Sequence, residues 1–175
     1  MKTFTQTFLL VLLLIVASSC TKDDGYIENL DEQGLTQCPE NSNCKYVYTN
    51  HADLPNPSSS TPKNGSYRVF WTEISSRLIT RSVFIKAPMK GNAFSLTDKD
   101  IQAGNVMLFN ISCPTCFSSV AAFQINGGYI RGKKLNSTAS QSSEKWLLET
   151  KLFLSVENTN IKDTISIKQY YNYNP

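Results

Sequence analysis

Cys113-Pro114-Thr115-Cys116 is the sharpest chemical motif in the chain. Two cysteines at this spacing can form a reactive disulfide whose first thiol has a lowered pKa, the basis of thiol-disulfide exchange. That chemistry normally follows the first cysteine with a helix inside a βαβ unit, whereas Phe117-Ser118-Ser119 leads here into strand-like Val120-Ala121-Ala122-Phe123. The expectation is a structural disulfide. An extracytoplasmic thiol-disulfide oxidoreductase acting through Cys113 and Cys116 is the catalytic alternative.

Other reactive constellations are poorly supplied. His51 is the only histidine and lies near Asp53 in a polar stretch. A hydrolase of the Ser-His-Asp or Cys-His kind would need it as base, and no Gly-x-Ser-x-Gly elbow accompanies it. Asp98 and Asp100 could ligate calcium through one turn, but capping a helix is the simpler account. Gly127-Gly128 follow a strand without opening a helix, so no phosphate-cradling loop is expected. Glu73, Glu144, Glu149 and Glu157 could serve glycoside hydrolysis only if two of them met in space, and the sequence pairs none of them. No catalytic residue, metal or cofactor is therefore expected.

The amino terminus carries an address. A single Lys2 precedes an apolar run from Phe8 to Ala17, which meets Ala17-Ser18-Ser19-Cys20 and then Thr21-Lys22-Asp23-Asp24. The run suits the hydrophobic region of a signal peptide and is short for a bilayer of about 30 Å. Ala17-Ser18-Ser19-Cys20 resembles a bacterial lipobox, differing at Ala17, where that family more often has Leu. Lys22-Asp23-Asp24 resembles the export signal of surface-exposed lipoproteins of the Bacteroidetes. The resemblance covers about the first 24 residues. It implies cleavage before Cys20, acylation of that thiol, and an outer-membrane protein anchored by lipid and facing outward. Each buried CH2 of the acyl chains would contribute roughly 0.8 kcal/mol of membrane affinity.

Removing 19 residues from 175 leaves 156, which suits one domain. The formal charge of +3 is too small to imply nucleic acid as a partner. Asp23, Asp24, Glu28, Asp31 and Glu32 crowd the segment after Cys20, so residues 20–43 read as an acidic, solvated tether and 44–175 as the folded domain. With Cys20 assigned to lipid, Cys38, Cys44, Cys113 and Cys116 form an even set in a compartment that permits disulfides. Two local bridges or either crossed pairing remain open. Zinc would need all four thiolates kept reduced outside the cell.

The elements that must position these residues are strands. Tyr67-Val69-Trp71 alternate with Arg68-Phe70-Thr72, and Ile79-Arg81-Val83-Ile85 alternate with Thr80-Ser82-Phe84. Thr97-Asp98-Lys99-Asp100 predicts one short connector helix ended by Gly104. A strand over 106–111 follows, and strands over 120–125 and 129–135 are expected to form a hairpin through Asn126-Gly127-Gly128. Trp146, Leu148, Thr150, Leu152, Leu154 and Val156 share one face of a further hairpin, turning at 157–160 and returning with Ile165, Ile167, Tyr171 and Tyr173. The stretches 127–134 and 167–171 resemble small lipoproteins of the same bacterial group, which implies no activity.

Eight or nine short strands without a long amphipathic helix predict an all-β fold. An antiparallel β-sandwich, immunoglobulin-like or related, is the first expectation and a barrel the second. Function is expected to be that of a surface binding or structural module. Glycan or nutrient capture is the alternative, because Tyr129, Tyr170, Tyr171 and Tyr173 set flat apolar faces beside hydrogen-bonding groups that suit a sugar or a protein partner.

Overall fold

The computed structural model describes residues 29–56, 61–77, 79–111, 123–135 and 143–175. These form strands β1 (Asn43–Asp53), β2 (Lys63–Asn64), β3 (Tyr67–Ser75), β4 (Thr80–Ala87), β5 (Ala93–Leu96), β6 (Val106–Ile111), β7 (Phe123–Lys134), β8 (Lys145–Val156) and β9 (Lys162–Tyr173). A single helical turn, α1 (Asp98–Asp100), runs into a π-helical turn at Ile101–Asn105. The fold is all-β, as the alternation predicts.

All the strands belong to one sheet, in the order β5-β7-β8-β9-β1-β3-β4-β6, with β2 added beside β1. Neighbours are antiparallel except β1 and β9, which run parallel and pair only at Val47↔Asn172 and Tyr48↔Tyr173. The sheet curls into an open half-barrel, so its two arms face each other across one interior. Phe94 of β5 stacks on Phe70 of β3 at 5.4 Å although the two strands are far apart in the sheet order. Phe70 also meets Trp146 and Tyr171 edge-on, at 5.6 Å each. Full burial of such a side chain contributes roughly 1.5–3 kcal/mol, which is what holds the curl closed.

On β3 both alternating phases are covered. Arg68, Phe70 and Thr72 face the interior, while Val69 and Trp71 build a second, smaller cluster with Phe84, Ala52 and Leu54 on the outer face of β3 and β4. On β8 the expected face, Trp146, Leu148, Thr150, Leu152 and Leu154, is buried, and the hairpin with β9 runs from Lys145↔Asn172 to Ser155↔Lys162. The connector helix also forms as its sequence predicts. Asp100 Oδ2 accepts the Thr97 N–H at 2.8 Å, and Gly104 leaves the turn at φ +83°.

Two expectations are corrected. Asn126-Gly127-Gly128 makes no hairpin: β7 runs straight through it, paired with β8 from Phe123↔Val156 to Lys134↔Trp146, with a register shift between Ile125 and Gly127. The glycines serve a bulge and two close approaches. A Cβ on Gly128, whose φ is +138°, would lie 2.0 Å from the Lys151 carbonyl oxygen, and one on Gly127 would lie 2.5 Å from Asp98 Oδ1.

The second correction concerns the acidic segment before β1, which is docked where it is described. Leu30 is buried, and the Thr36 N–H donates to the Lys168 carbonyl at 2.9 Å. The Lys168 N–H returns a bond to Thr36 Oγ1 at 2.9 Å, and Lys168 Nζ pairs with Asp31 at 2.6 Å. Composition suggested solvation, but β9 offers an unpaired edge, and main-chain bonding there needs few apolar residues. Residues 20–28 lie outside the described part of the chain.

Candidate functional site

The short parallel contact of β1 with β9 creates the site. Below Val47 and Asn172 the two strands diverge, so β9 from Lys162 toward Tyr170 has no β1 partner. In an antiparallel ladder every second residue turns its N–H and C=O away from a given neighbour. Lys168 turns both groups away from β8, because both meet Thr36. Ser166, two residues back and opposite Lys151, has the same phase. Its N–H and C=O therefore point into the opening, and no described residue takes them.

A cavity of about 210 Å³ lies beside this edge, between the two arms of the sheet. Ile165 and Ile167 of β9 form one wall, Ile74 and Val83 of β3 and β4 the other, and Thr36, Gln37 and Pro39 cover it. A disulfide between Cys38 and Cys44, with Cα atoms 5.8 Å apart, ties this cover to the start of β1. That pairing rules out both crossed connectivities. Arg81 Nη1 meets Asp163 Oδ2 at 3.5 Å, an ion pair that spans from β4 to β9. Thr72 also lines the cavity, and its hydroxyl is 2.5 Å from that of Tyr171. Burial holds the Tyr171 phenol far above its ordinary value, so it stays protonated.

The walls of the cavity are branched and apolar, its rim carries hydroxyl, amide, main-chain and Arg81 guanidinium groups, and no cysteine, histidine or glutamate is among its described lining residues. Among the described residues no group of three or more His, Cys, Asp and Glu could hold a metal ion.

The opposite end of the interior is plugged by charge. Arg68 is buried, donates from Nε to Asn50 Oδ1 at 2.9 Å, and lies 3.9 Å from Glu144 Oε1. Glu144 accepts Trp146 Nε1 at 2.7 Å and pairs with Lys134 Nζ at 2.5 Å. Burial alone would raise the Glu144 carboxyl, but bonds from Lys134, Trp146 and Tyr48 outweigh it and hold the group below its usual 4.5. The reverse holds for Arg68, whose pKa burial lowers, with Glu144 and Tyr48 opposing the shift. One carboxylate thus faces two cations inside the fold.

The four tyrosines suggested for ligand stacking are not brought together. Tyr129 donates to Glu149 Oε1 at 3.3 Å, with the Arg131 guanidinium 5.7 Å from its ring. Tyr170 donates to Glu32, and Lys145 Nζ lies 5.0 Å from its ring centroid. Tyr171 is wholly buried, and Tyr173 packs 5.6 Å from the Tyr48 ring. Tyr170 and Tyr171, as strand neighbours, necessarily face opposite sides of the sheet.

Asp98 and Asp100 are both engaged, Asp98 Oδ1 taking the Gly128 N–H at 2.6 Å and Asp100 capping α1. His51 is exposed, with φ +54°, where the pairing of β1 with β3 shifts register. Cys20, Cys113 and Cys116 lie outside the described residues. The cavity walls escaped sequence reasoning because Val83, Ile165 and Ile167 read as ordinary strand residues of the core and Ile74 carried no signal of its own. The one available sign was Thr72, a polar residue on the interior phase of β3.

In comparisons with known proteins, no protein-family model, no curated protein and no solved structure matches this chain. The site is therefore read from its own geometry.

Proposed function

We propose that the chain is a lipid-anchored binding module of the bacterial outer surface, without catalytic activity, that holds a small ligand in the cavity beside β9. The cavity itself carries this reading: apolar walls from both arms, a polar rim, and main-chain groups at Ser166 that no described residue takes. Orientation by a few polar groups over an apolar floor is the usual design of a ligand site. The anchor rests on residues 17–24, which resemble a lipobox followed by an export signal. Scattering of Tyr129, Tyr170, Tyr171 and Tyr173 over different surroundings favours this cavity over a sugar-stacking platform.

Methyl NMR on the whole chain tests the reading, with Val83, Ile165 and Ile167 as reporters. Monosaccharides, capped short peptides and medium-chain fatty acids are titrated separately. One class should shift these three methyls saturably, and Val83→Trp, which fills the cavity, should abolish the response. Silence of all three methyls across every class would count decisively against a ligand site here.

A further inference from the structure

We infer that the occupant is a short peptide in extended conformation, added as a strand to the free edge of β9. This rests on the cavity being a ligand site and names the class of ligand. The chain already makes an interface of this kind with itself. Thr36 sits on the same edge and satisfies the main chain of Lys168 from both sides, donor and acceptor. Ser166 presents the same pair of groups one repeat further along, exposed and facing the cavity mouth. An incoming main chain supplies a donor and an acceptor at the matching spacing.

Side chains of an extended peptide also fit the cavity. At about 3.3 Å per residue, the edge from Lys162 to Ser166 has the length of roughly four peptide residues. Along it the Thr164 N–H is already taken by Asp163 Oδ1 at 2.7 Å, and Asp163 pairs with Arg81, so a bound peptide bonds chiefly at Ser166 and displaces that local contact. Alternate side chains would point inward against Ile74, Val83, Ile165 and Ile167, and the others toward solvent. The inward positions thus select branched apolar residues. An acyl chain would fill the cavity but make no use of the Ser166 N–H and C=O, and a sugar would set hydroxyls against isoleucine and valine. A peptide uses both the main-chain groups and the apolar walls. Lys162 and Lys168 flank the edge, which limits pairing with a second copy of the same strand.

The test uses the full chain in detergent and an equimolar pool of acetylated tetrapeptide amides, with Val, Ile, Leu or Phe at positions one and three and Thr at two and four. Hydrogen exchange of the Ser166 amide should slow at least tenfold on saturation. The same pool N-methylated at its edge-facing amides should bind about tenfold more weakly, or less tightly still, for each bond removed. Ser166→Pro, which removes a donor pointing away from β8, should weaken binding by a similar factor. Equal binding of the methylated pool would overturn the inference without any variant. If the peptides fail while a monosaccharide or fatty acid shifts the Val83 methyl, the peptide assignment is wrong and the cavity remains a ligand site. If nothing shifts it, both readings fall.

Discussion

The Arg68 guanidinium lies 4.2 Å from the centre of the Trp146 ring, while the Trp146 indole N–H donates to Glu144, the carboxylate that faces the same guanidinium. One aromatic side chain thus serves both charges, and β3 is tied to the start of β8 at the closed end of the half-barrel. A cation over an aromatic face is worth about 2 kcal/mol where water is excluded. Removing Glu144 would leave Arg68 buried without a carboxylate, whereas removing Arg68 would leave Glu144 its bonds to Lys134 and Trp146.

Stability should accordingly depend on the ionisation of Glu144. Its carboxyl is held below the ordinary 4.5, so its contribution is present in full above that value and lost as pH falls through the lower folded value. Glu144→Gln is expected to cost about 1–2 kcal/mol at neutral pH. The gap from wild type should narrow as pH drops below 4.5. Urea denaturation at several pH values measures this, and a gap independent of pH would contradict the assigned ion pairing.

Gly128→Ala should destabilise by about 2–4 kcal/mol, because the new methyl would collide with the Lys151 carbonyl at a positive φ. Gly34 also has positive φ, +67°, but nothing lies within 4 Å of its Cβ position. Gly34→Ala should therefore cost only about 1 kcal/mol. Thermal melts of the two variants compare crowding with backbone strain directly.

Replacing Cys38 and Cys44 together by serine should lower stability by about 2 kcal/mol, as expected for a bridge closing a short loop. The local effect should exceed the global one. Amide exchange at Thr36 is expected to accelerate, since the cover over the cavity loses its tie to β1. Alkylation of the native protein should leave both cysteines unlabelled.

The proposed anchor predicts a mature amino terminus at Cys20 bearing acyl chains, read by mass spectrometry. Cys20→Ala should move the protein from the detergent phase to the aqueous phase. Replacing Asp23 and Asp24 by asparagine should reduce cleavage by protease added to intact cells, since the export signal would lose its charge. A free, unmodified terminus beyond Cys20 would remove the anchor.

Much of the fold was legible because strand alternation is a local property. The β8–β9 hairpin, the strand from Val106 and the capped turn at Thr97 each follow from residues only a few positions apart. Gly127 and Gly128 were misread because a bulge and a turn ask for the same backbone freedom. Only the position of Asp98 and of the Lys151 carbonyl tells the two apart. Docking of Thr36 was equally hidden, since its partner is the main chain of Lys168 and main-chain groups leave no trace in residue type.

By itself the sequence determined an all-β chain. Tertiary structure alone decided that β1 and β9 meet in parallel for two residue pairs and then part. That brief contact depends on how the whole sheet curls, with Phe94 reaching Phe70 across the interior, and no local pattern encodes it. The free edge at Ser166 and the cavity beside it exist because of that divergence, so the site is a property of the curl.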